Sequence, residues 1–166
     1  MMRILIVSDT HGRVENLEKV LKRVTPIDHF IHLGDVEGQE EQIAAMAGVP
    51  VSMVAGNNDW FSNLPKGLLV SLGKYRAFLT HGHHYGVHGG HAGLREQAAL
   101  RKVDIVMYGH THYPCVEQKP GLTILNPGSL SLPRQHGHQP SYILMEIDQE
   151  GQAHYHIGLL KDNVLR

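Results

Sequence analysis

The stretch Ile4-Leu5-Ile6-Val7-Ser8-Asp9-Thr10-His11-Gly12 decides the fold. Four consecutive apolar residues, three of them β-branched, suit a strand covered on both faces, as in the parallel sheets of α/β proteins. The run stops at Ser8 and gives way to a polar cluster closed by a glycine that lets the backbone turn. Downstream, Val14, Leu17, Leu21 and Val24 recur at intervals of three, four and three among Glu, Lys and Arg. That spacing predicts an amphipathic helix ended by Pro26.

The same pattern repeats along the chain. Strand-length apolar runs occur at Phe30-Ile31-His32-Leu33, Val51-Ser52-Met53-Val54, Ala77-Phe78-Leu79, Val103-Asp104-Ile105-Val106-Met107, Leu122-Thr123-Ile124-Leu125 and Tyr142-Ile143-Leu144-Met145. Helices are expected over 38–47 and 90–101, where apolar residues sit among Glu, Gln and Arg. Strands and helices alternate through the first two thirds. The last third is strand-rich with Gly and Pro turns, which predicts a mixed sheet or a second sheet.

Composition narrows the class. The 166 residues are 42% apolar and 19% charged, a globular balance with no run long enough to span a membrane. Length predicts one domain over 1–166, large enough to bury a core without disulfides. The first residues lack a signal-peptide pattern, so a cytoplasmic location is expected. Cys115 is the single cysteine, which excludes an internal disulfide and reads as a small hydrophobe. Fifteen basic against sixteen acidic residues leave a net charge of -1, with no basic run suited to long nucleic acids.

Histidine stands out, with fourteen in the chain. Polar clusters cap the apolar runs: Ser8-Asp9-Thr10-His11-Gly12, Gly34-Asp35, Gly56-Asn57-Asn58-Asp59, His81-Gly82-His83-His84, Gly109-His110-Thr111-His112 and Asn126-Pro127-Gly128-Ser129. Spacing alone discriminates little, because four His-x-His pairs occur, at 81/83, 110/112, 136/138 and 154/156. Position discriminates more. Loops at the carboxyl ends of parallel strands gather in one crevice, so clusters far apart in sequence are expected to meet. Carboxylates, an amide and imidazoles together suit borderline divalent metals. Each cluster also has a plainer reading: Asp9 and Asp35 as N-caps of the helices after them, 57–59 as an Asx-type turn, and 81–84 as a solvated loop.

The ordered set Asp9-x-His11, Gly34-Asp35, Gly56-Asn57-x-Asp59, His81 and Gly109-His110-x-His112 resembles the calcineurin-like metallophosphoesterase signature. The Asn126-Pro127-Gly128-Ser129 turn and Arg134 resemble its small bacterial and archaeal phosphodiesterase branch. The resemblance implies a two-sheet β-sandwich flanked by α-helices, within the α/β (α+β) class. It implies that Asp9, His11 and His112 hold one divalent metal, that Asn57, His81 and His110 hold a second, and that Asp35 bridges both. Manganese is the metal it suggests first, with zinc, iron, nickel and cobalt also suited to these donors. The implied reaction is hydrolysis of a small phosphate ester by in-line attack of a hydroxide shared between the metals.

One departure bears on the substrate. Where many family phosphatases carry a histidine that assists the leaving group, this chain has Asn58, which cannot act as a general acid. Diesters or activated esters are therefore favoured over alkyl monoesters, with the proton supplied by water, His83 or His84. Asn58, His83 and Arg134 are the expected substrate contacts, with Arg13 a further candidate. Asp59 either hydrogen-bonds a ligand imidazole or closes the turn. Trp60 and Phe61 either line the pocket or pack at its rim or in an oligomer contact. His29, His32, His88, His91, His136, His138, His154 and His156 read as structural or surface residues. The alternatives from other classes are a non-catalytic protein-interaction scaffold on the same fold and a nucleotide phosphatase. A homodimer or a higher homo-oligomer is the assembly to expect.

Overall fold

The computed structural model describes residues 1–161. In chain order the first elements are β1 (Met2–Val7), α1 (Glu15–Val24), β2 (His29–His32), α2 (Glu40–Ala47), β3 (Val51–Met53), β4 (Gly67–Leu72) and β5 (Tyr75–Thr80). A 3-10 turn at Val87–Gly89 leads to α3 (Ala92–Arg101), followed by β6 (Ile105–Met107), β7 (Pro114–Lys119), β8 (Leu122–Pro127), β9 (Ser141–Ile147) and β10 (Ala153–Leu159).

Two five-stranded sheets form, in the orders β10-β9-β1-β2-β3 and β4-β5-β6-β8-β7. In the first, β1, β2 and β3 run parallel, and β9 and β10 extend it antiparallel from the β1 side. In the second, β5, β6 and β8 run parallel between the antiparallel edges β4 and β7. The expectation of a mixed or second sheet in the last third holds in both senses: β7 and β8 complete one sheet, and β9 and β10 the other.

Alternation along the strands explains the layering. Ile4 and Ile6 of β1 point between the sheets and pack with Ile31, Leu79, Met107, Leu125, Ile143 and Met145. Leu5 and Val7 point the other way, onto Leu17, Val20, Leu21 and Val24 of α1 and Ile43 of α2. On the second sheet, Phe78, Val106 and Ile124 face Leu94 and Ala98 of α3. The result is a sandwich flanked by α1 and α2 on one side and α3 on the other. Burying each such aliphatic side chain contributes about 1.5–3 kcal/mol.

The helices stop for identifiable reasons. Thr25 caps α1 through its N–H to Leu21 O, one residue before Pro26. Gly48 closes α2 in the left-handed conformation at φ 63°, which a glycine adopts without strain. The residues preceding α1 and α2 are Val14 and Gln39, and neither helix has a side-chain cap. The plainer reading of Asp9 and Asp35 as helix caps is therefore wrong. No helix among the described residues is long and apolar enough to cross a membrane.

Candidate metal centre

Six polar loops extend from the carboxyl ends of β1, β2, β3, β5, β6 and β8, the parallel strands of both sheets. They meet at one end of the sandwich, and the backbone there is unusual. Among the eight non-glycine residues with positive φ in the described chain are Asp9 (55°), His11 (48°), Asp35 (57°), His110 (69°) and His112 (61°). Non-glycine residues held in that region cost about 1–3 kcal/mol each and persist where the surroundings over-determine them. Here the loops interlock: Asp9 N–H donates to Gly34 O at 3.0 Å, His11 N–H to Asp35 O at 2.9 Å and Gly109 N–H to His81 O at 3.0 Å.

Two glycines are required by this closeness. A Cβ on Gly56 would stand inside the Asp35 carboxylate, and one on Gly109 would collide with Ser8 Oγ and lie 2.8 Å from Asp9 Oδ2. Both positions need a residue without a side chain.

The donor atoms converge. His112 Nε2 lies 3.0 Å from Asp9 Oδ1, and His11 Nε2 lies 3.5 Å from the same oxygen. The two imidazole Nε2 atoms are 3.3 Å apart. On the other side, Asn57 Oδ1 stands 3.0 Å from His81 Nε2 and 3.0 Å from His110 Nδ1. Asp35 Oδ2 lies between the groups, 3.5 Å from His81 Nε2 and 3.7 Å from His11 Nε2. The structure thus brings together Asp9, His11, Asp35, Asn57, His81, His110 and His112. Asp9 is as central as Asp35, since it falls in both carboxylate–imidazole groups able to hold an ion, Asp9–His11–His112 and Asp9–Asp35–His81.

Outer contacts aim these donors. His11 Nδ1 pairs with Glu37 Oε1 at 2.8 Å, His81 Nδ1–H donates to Leu33 O at 2.7 Å, and His112 Nδ1–H donates to Leu132 O at 2.6 Å. Each contact leaves Nε2 facing inward, as a ligating imidazole requires. Asp9 Oδ2 accepts from Ser8 Oγ at 2.5 Å and His110 N at 3.1 Å. Its Oδ1 is buried and accepts no hydrogen bond. A buried carboxylate oxygen without a partner is costly, and one ringed by three imidazole nitrogens matches a divalent cation's needs. The residues present therefore fit a metal.

Electrostatics agree. Burial would raise the Asp9 and Asp35 carboxyls, but His11, His112 and His81 hold Asp9 far below the carboxylate range, and His81 with Asn58 holds Asp35 at about 2. Burial would lower His11, yet Asp9 and Glu37 lift it to about 9. His81 is raised against its burial by Asp35 and Asp9. His110 goes down, mainly by desolvation.

The expected substrate residues fare differently. Asn58 lies at the site, but its amide donates to Asp35 Oδ2 at 2.9 Å and its N–H to Asp35 Oδ1 at 2.9 Å. His83 is half-buried against His81 and His84, with ring centroids at 5.5 and 3.9 Å, and desolvation and His84 push it to about 4. Arg134 is exposed, tied to the site by its N–H to His112 O at 3.3 Å. Arg13 is exposed, its N–H on Thr10 O at 3.0 Å.

Several residues depart from what their sequence context implies. Asp59 reaches no imidazole: Oδ2 accepts from Asp35 N (2.8 Å), Gly56 N (2.7 Å) and Val36 N (3.3 Å), and Oδ1 from Glu37 N (2.7 Å). It staples two ligand loops together, which is more than closing one turn. His88 is exposed but packs its ring against His110 at 4.8 Å. Glu37 is a further residue of the site that no local sequence pattern signals, because its partner His11 lies 26 residues away in sequence. Asn126 and Ser129 brace the site, Asn126 Nδ2 donating to Gly109 O at 2.9 Å and Ser129 Oγ to Asp9 O at 2.7 Å.

A sandwich with this donor cluster at the strand ends defines a metallophosphoesterase. The model of the calcineurin-like phosphoesterase superfamily domain matches residues 2–150, and the chain belongs to that family. It is 31% identical over 150 residues to the probable metallophosphoesterase YsnB of Bacillus subtilis, covering 90% of this chain and 86% of that protein. It is 32% identical over 174 aligned positions to phosphodiesterase YfcE of Escherichia coli, covering 89% of each. Among solved structures, a predicted phosphoesterase from Streptococcus pneumoniae superposes with a TM-score of 0.78 at 26% identity, covering 96% of this chain and 98% of that one. A single mutant of Vps29 from Entamoeba histolytica shares the fold at TM-score 0.78 and 23% identity, covering 96% and 100%.

Proposed function

We propose that this chain is a metal-dependent phosphodiesterase acting on small phosphate esters. The observation that carries the reading is the convergence of carboxylate, amide and imidazole donors around Asp9 Oδ1, a buried oxygen with no hydrogen bond. Asp9, His11 and His112 would hold one divalent ion, and Asn57, His81 and His110 the other, with Asp35 between them. When bound, such a pair supplies Lewis acidity toward the phosphoryl oxygens and an activated water at neutral pH. Manganese suits the mixed oxygen and nitrogen set, as do zinc, iron, nickel and cobalt.

The chain's own groups then set the substrate class. Asn58 grips Asp35 from both backbone and side chain and offers no acidic proton. His83, held at about 4, is neutral at pH 7 and serves as a hydrogen-bond partner rather than a cationic acid. A leaving group that needs protonation is therefore poorly served, which favours diesters and activated esters. Arg134 would neutralise the non-bridging phosphate charge.

The test is metal analysis of the purified protein with a manganese-supplemented chromogenic diester assay, using Asp35→Asn as the inactive control. Bound metal and diester turnover are expected; neither appearing would overturn the reading. Asn58→His is expected to raise monoester hydrolysis relative to diester, and an unchanged ratio would overturn the role given to Asn58. A scaffold function is the second reading, favoured by the exposed Trp60 and Phe61; it predicts a metal-free protein without turnover. A nucleotide phosphatase would show itself in the same assay as preference for nucleoside monophosphates.

A further inference from the structure

Beside the donor cluster lies a cleft of about 380 Å³ whose walls include Glu37, Glu40, Asn58, Trp60, Phe61 and Ser62. Two of these walls belong to the metal centre. Asn58 donates to Asp35 at 2.9 Å, and Glu37 pairs with His11 at 2.8 Å. A phosphate ester seated at the donors thus has this recess directly beside it for one substituent. Trp60 and Phe61 remain 82% and 103% exposed, large apolar surface that the described chain leaves uncovered next to the site.

The chemistry of the walls selects among substituents. Glu37 and Glu40 repel a second phosphate, and no Lys, Arg or His among the described residues lines the cleft, which disfavours polyphosphates and nucleic-acid backbones. With Glu37 engaged by His11, a plain alkyl group would use the aromatic faces but leave Glu40 without a role. An ammonium group uses both, stacking its charge on the indole face and pairing with the Glu40 carboxylate.

Resting on the phosphodiesterase reading, we propose that this cleft is the substituent subsite and that it selects phosphodiesters of amino alcohols, with the ammonium end held by Trp60 and Glu40. Trp60 is the only tryptophan in the chain, so its fluorescence reports on the cleft alone.

The experiment titrates the full-length protein with choline phosphate and, separately, ethyl phosphate, following Trp60 emission and calorimetric affinity. Choline phosphate should bind about fivefold to tenfold more tightly and shift the emission, a gap in keeping with a partly exposed cation–π contact plus a carboxylate. Glu40→Gln should remove most of that gap, and Glu150→Gln, on a distant turn, should not. Equal affinities, or a gap untouched by Glu40→Gln, would overturn the proposal. So would sedimentation showing a dimer that Phe61→Ala dissociates, because the aromatic pair would then be covered by a second copy. Binding is read without turnover: selective binding with no hydrolysis sinks only the phosphodiesterase reading, and hydrolysis without selectivity sinks only the subsite.

Discussion

Glu37 Oε1 and His11 Nδ1 lie 2.8 Å apart although 26 residues separate them in sequence. Through that contact the carboxylate fixes the tautomer and rotation of an imidazole whose other nitrogen faces Asp9. Glu37→Gln is expected to weaken metal affinity about tenfold to a hundredfold, the usual effect of removing such a partner. Competition with a fluorescent chelator measures it; an unchanged affinity would show that His11 is oriented by packing alone.

Asp9 Oδ1 is buried without a hydrogen bond, so a cation bound there should stabilise the fold. At a hundredfold excess over Kd the gain is about 2.7 kcal/mol, a rise in Tm on the order of 5–10 °C. Asp9→Asn should abolish the manganese-induced shift in a thermal melt while leaving a cooperative transition. Equal shifts in both proteins would remove Asp9 from the ligand set.

In the metal-free protein His11 titrates at about 9 and His81 is raised as well. His11 is therefore protonated at pH 7 and must release a proton to ligate. Because its value is raised on folding, its ion pairs with the carboxylates are fully present below the unfolded value of 6.5 and are lost as pH rises through about 9. Metal affinity should rise over the same interval. Calorimetry at pH 7.5 in buffers of different ionisation heat should show at least about one proton released per chain; none would contradict it.

His32 is the acid-side counterpart. Fully buried, it is pushed to about 4 by desolvation; Gly34 N–H donates to its Nδ1 at 3.2 Å, and Nε2 faces Thr10 Oγ1 at 2.9 Å. A depressed folded value means stability present above pH 6.5 and lost as pH falls toward 4, on the order of 3 kcal/mol for this one group. His83, also near 4 but more exposed, adds a smaller part. Denaturant midpoints between pH 7 and pH 4 should fall less steeply in His32→Gln; parallel curves would place the acid sensitivity elsewhere.

Gly56→Ala should be costlier than its size suggests, because the new methyl would stand inside the Asp35 carboxylate. A loss of about 2–4 kcal/mol is expected, together with weaker metal binding. A distant control, Gly121→Ala, has no neighbour within 4 Å but strains a backbone at φ 79°, so it should destabilise without touching metal affinity.

How far the sequence announced this molecule varied with burial. β1, β2, β6 and β8 are largely buried; β1 from Ile4 and β6 appear as unbroken apolar runs, and β2 and β8 as apolar runs interrupted by His32 and Thr123. β7 and β10 were missed because Cys115, Glu117, Gln118, His154 and His156 occupy edge strands whose burial is partial. β4 was missed although Leu68, Leu69 and Val70 are apolar, its exposure alternating along a sheet edge. The candidate metal donors were legible because each lies just past a strand end. Glu37 and Asp59 were harder: what they do depends on backbone amides and an imidazole brought near by folding, which no local pattern encodes. His88 acquires a neighbour in His110 only because the loop after β5 folds back over β6.

The donors come from both halves of the sandwich: Asp9, His11, Asp35 and Asn57 from one sheet, His81, His110 and His112 from the other. The gap between these two sets is therefore gauged by the hydrocarbon layer that separates the sheets, where Ile6, Ile31, Leu33, Val54, Leu79, Met107 and Leu125 meet. Trimming or adding a methylene there would act like a shim under a vise, changing jaw spacing without touching a ligand. Metal preference becomes a property that interior volume can tune, and substitutions in that layer are a route to shifting it while every donor stays in place.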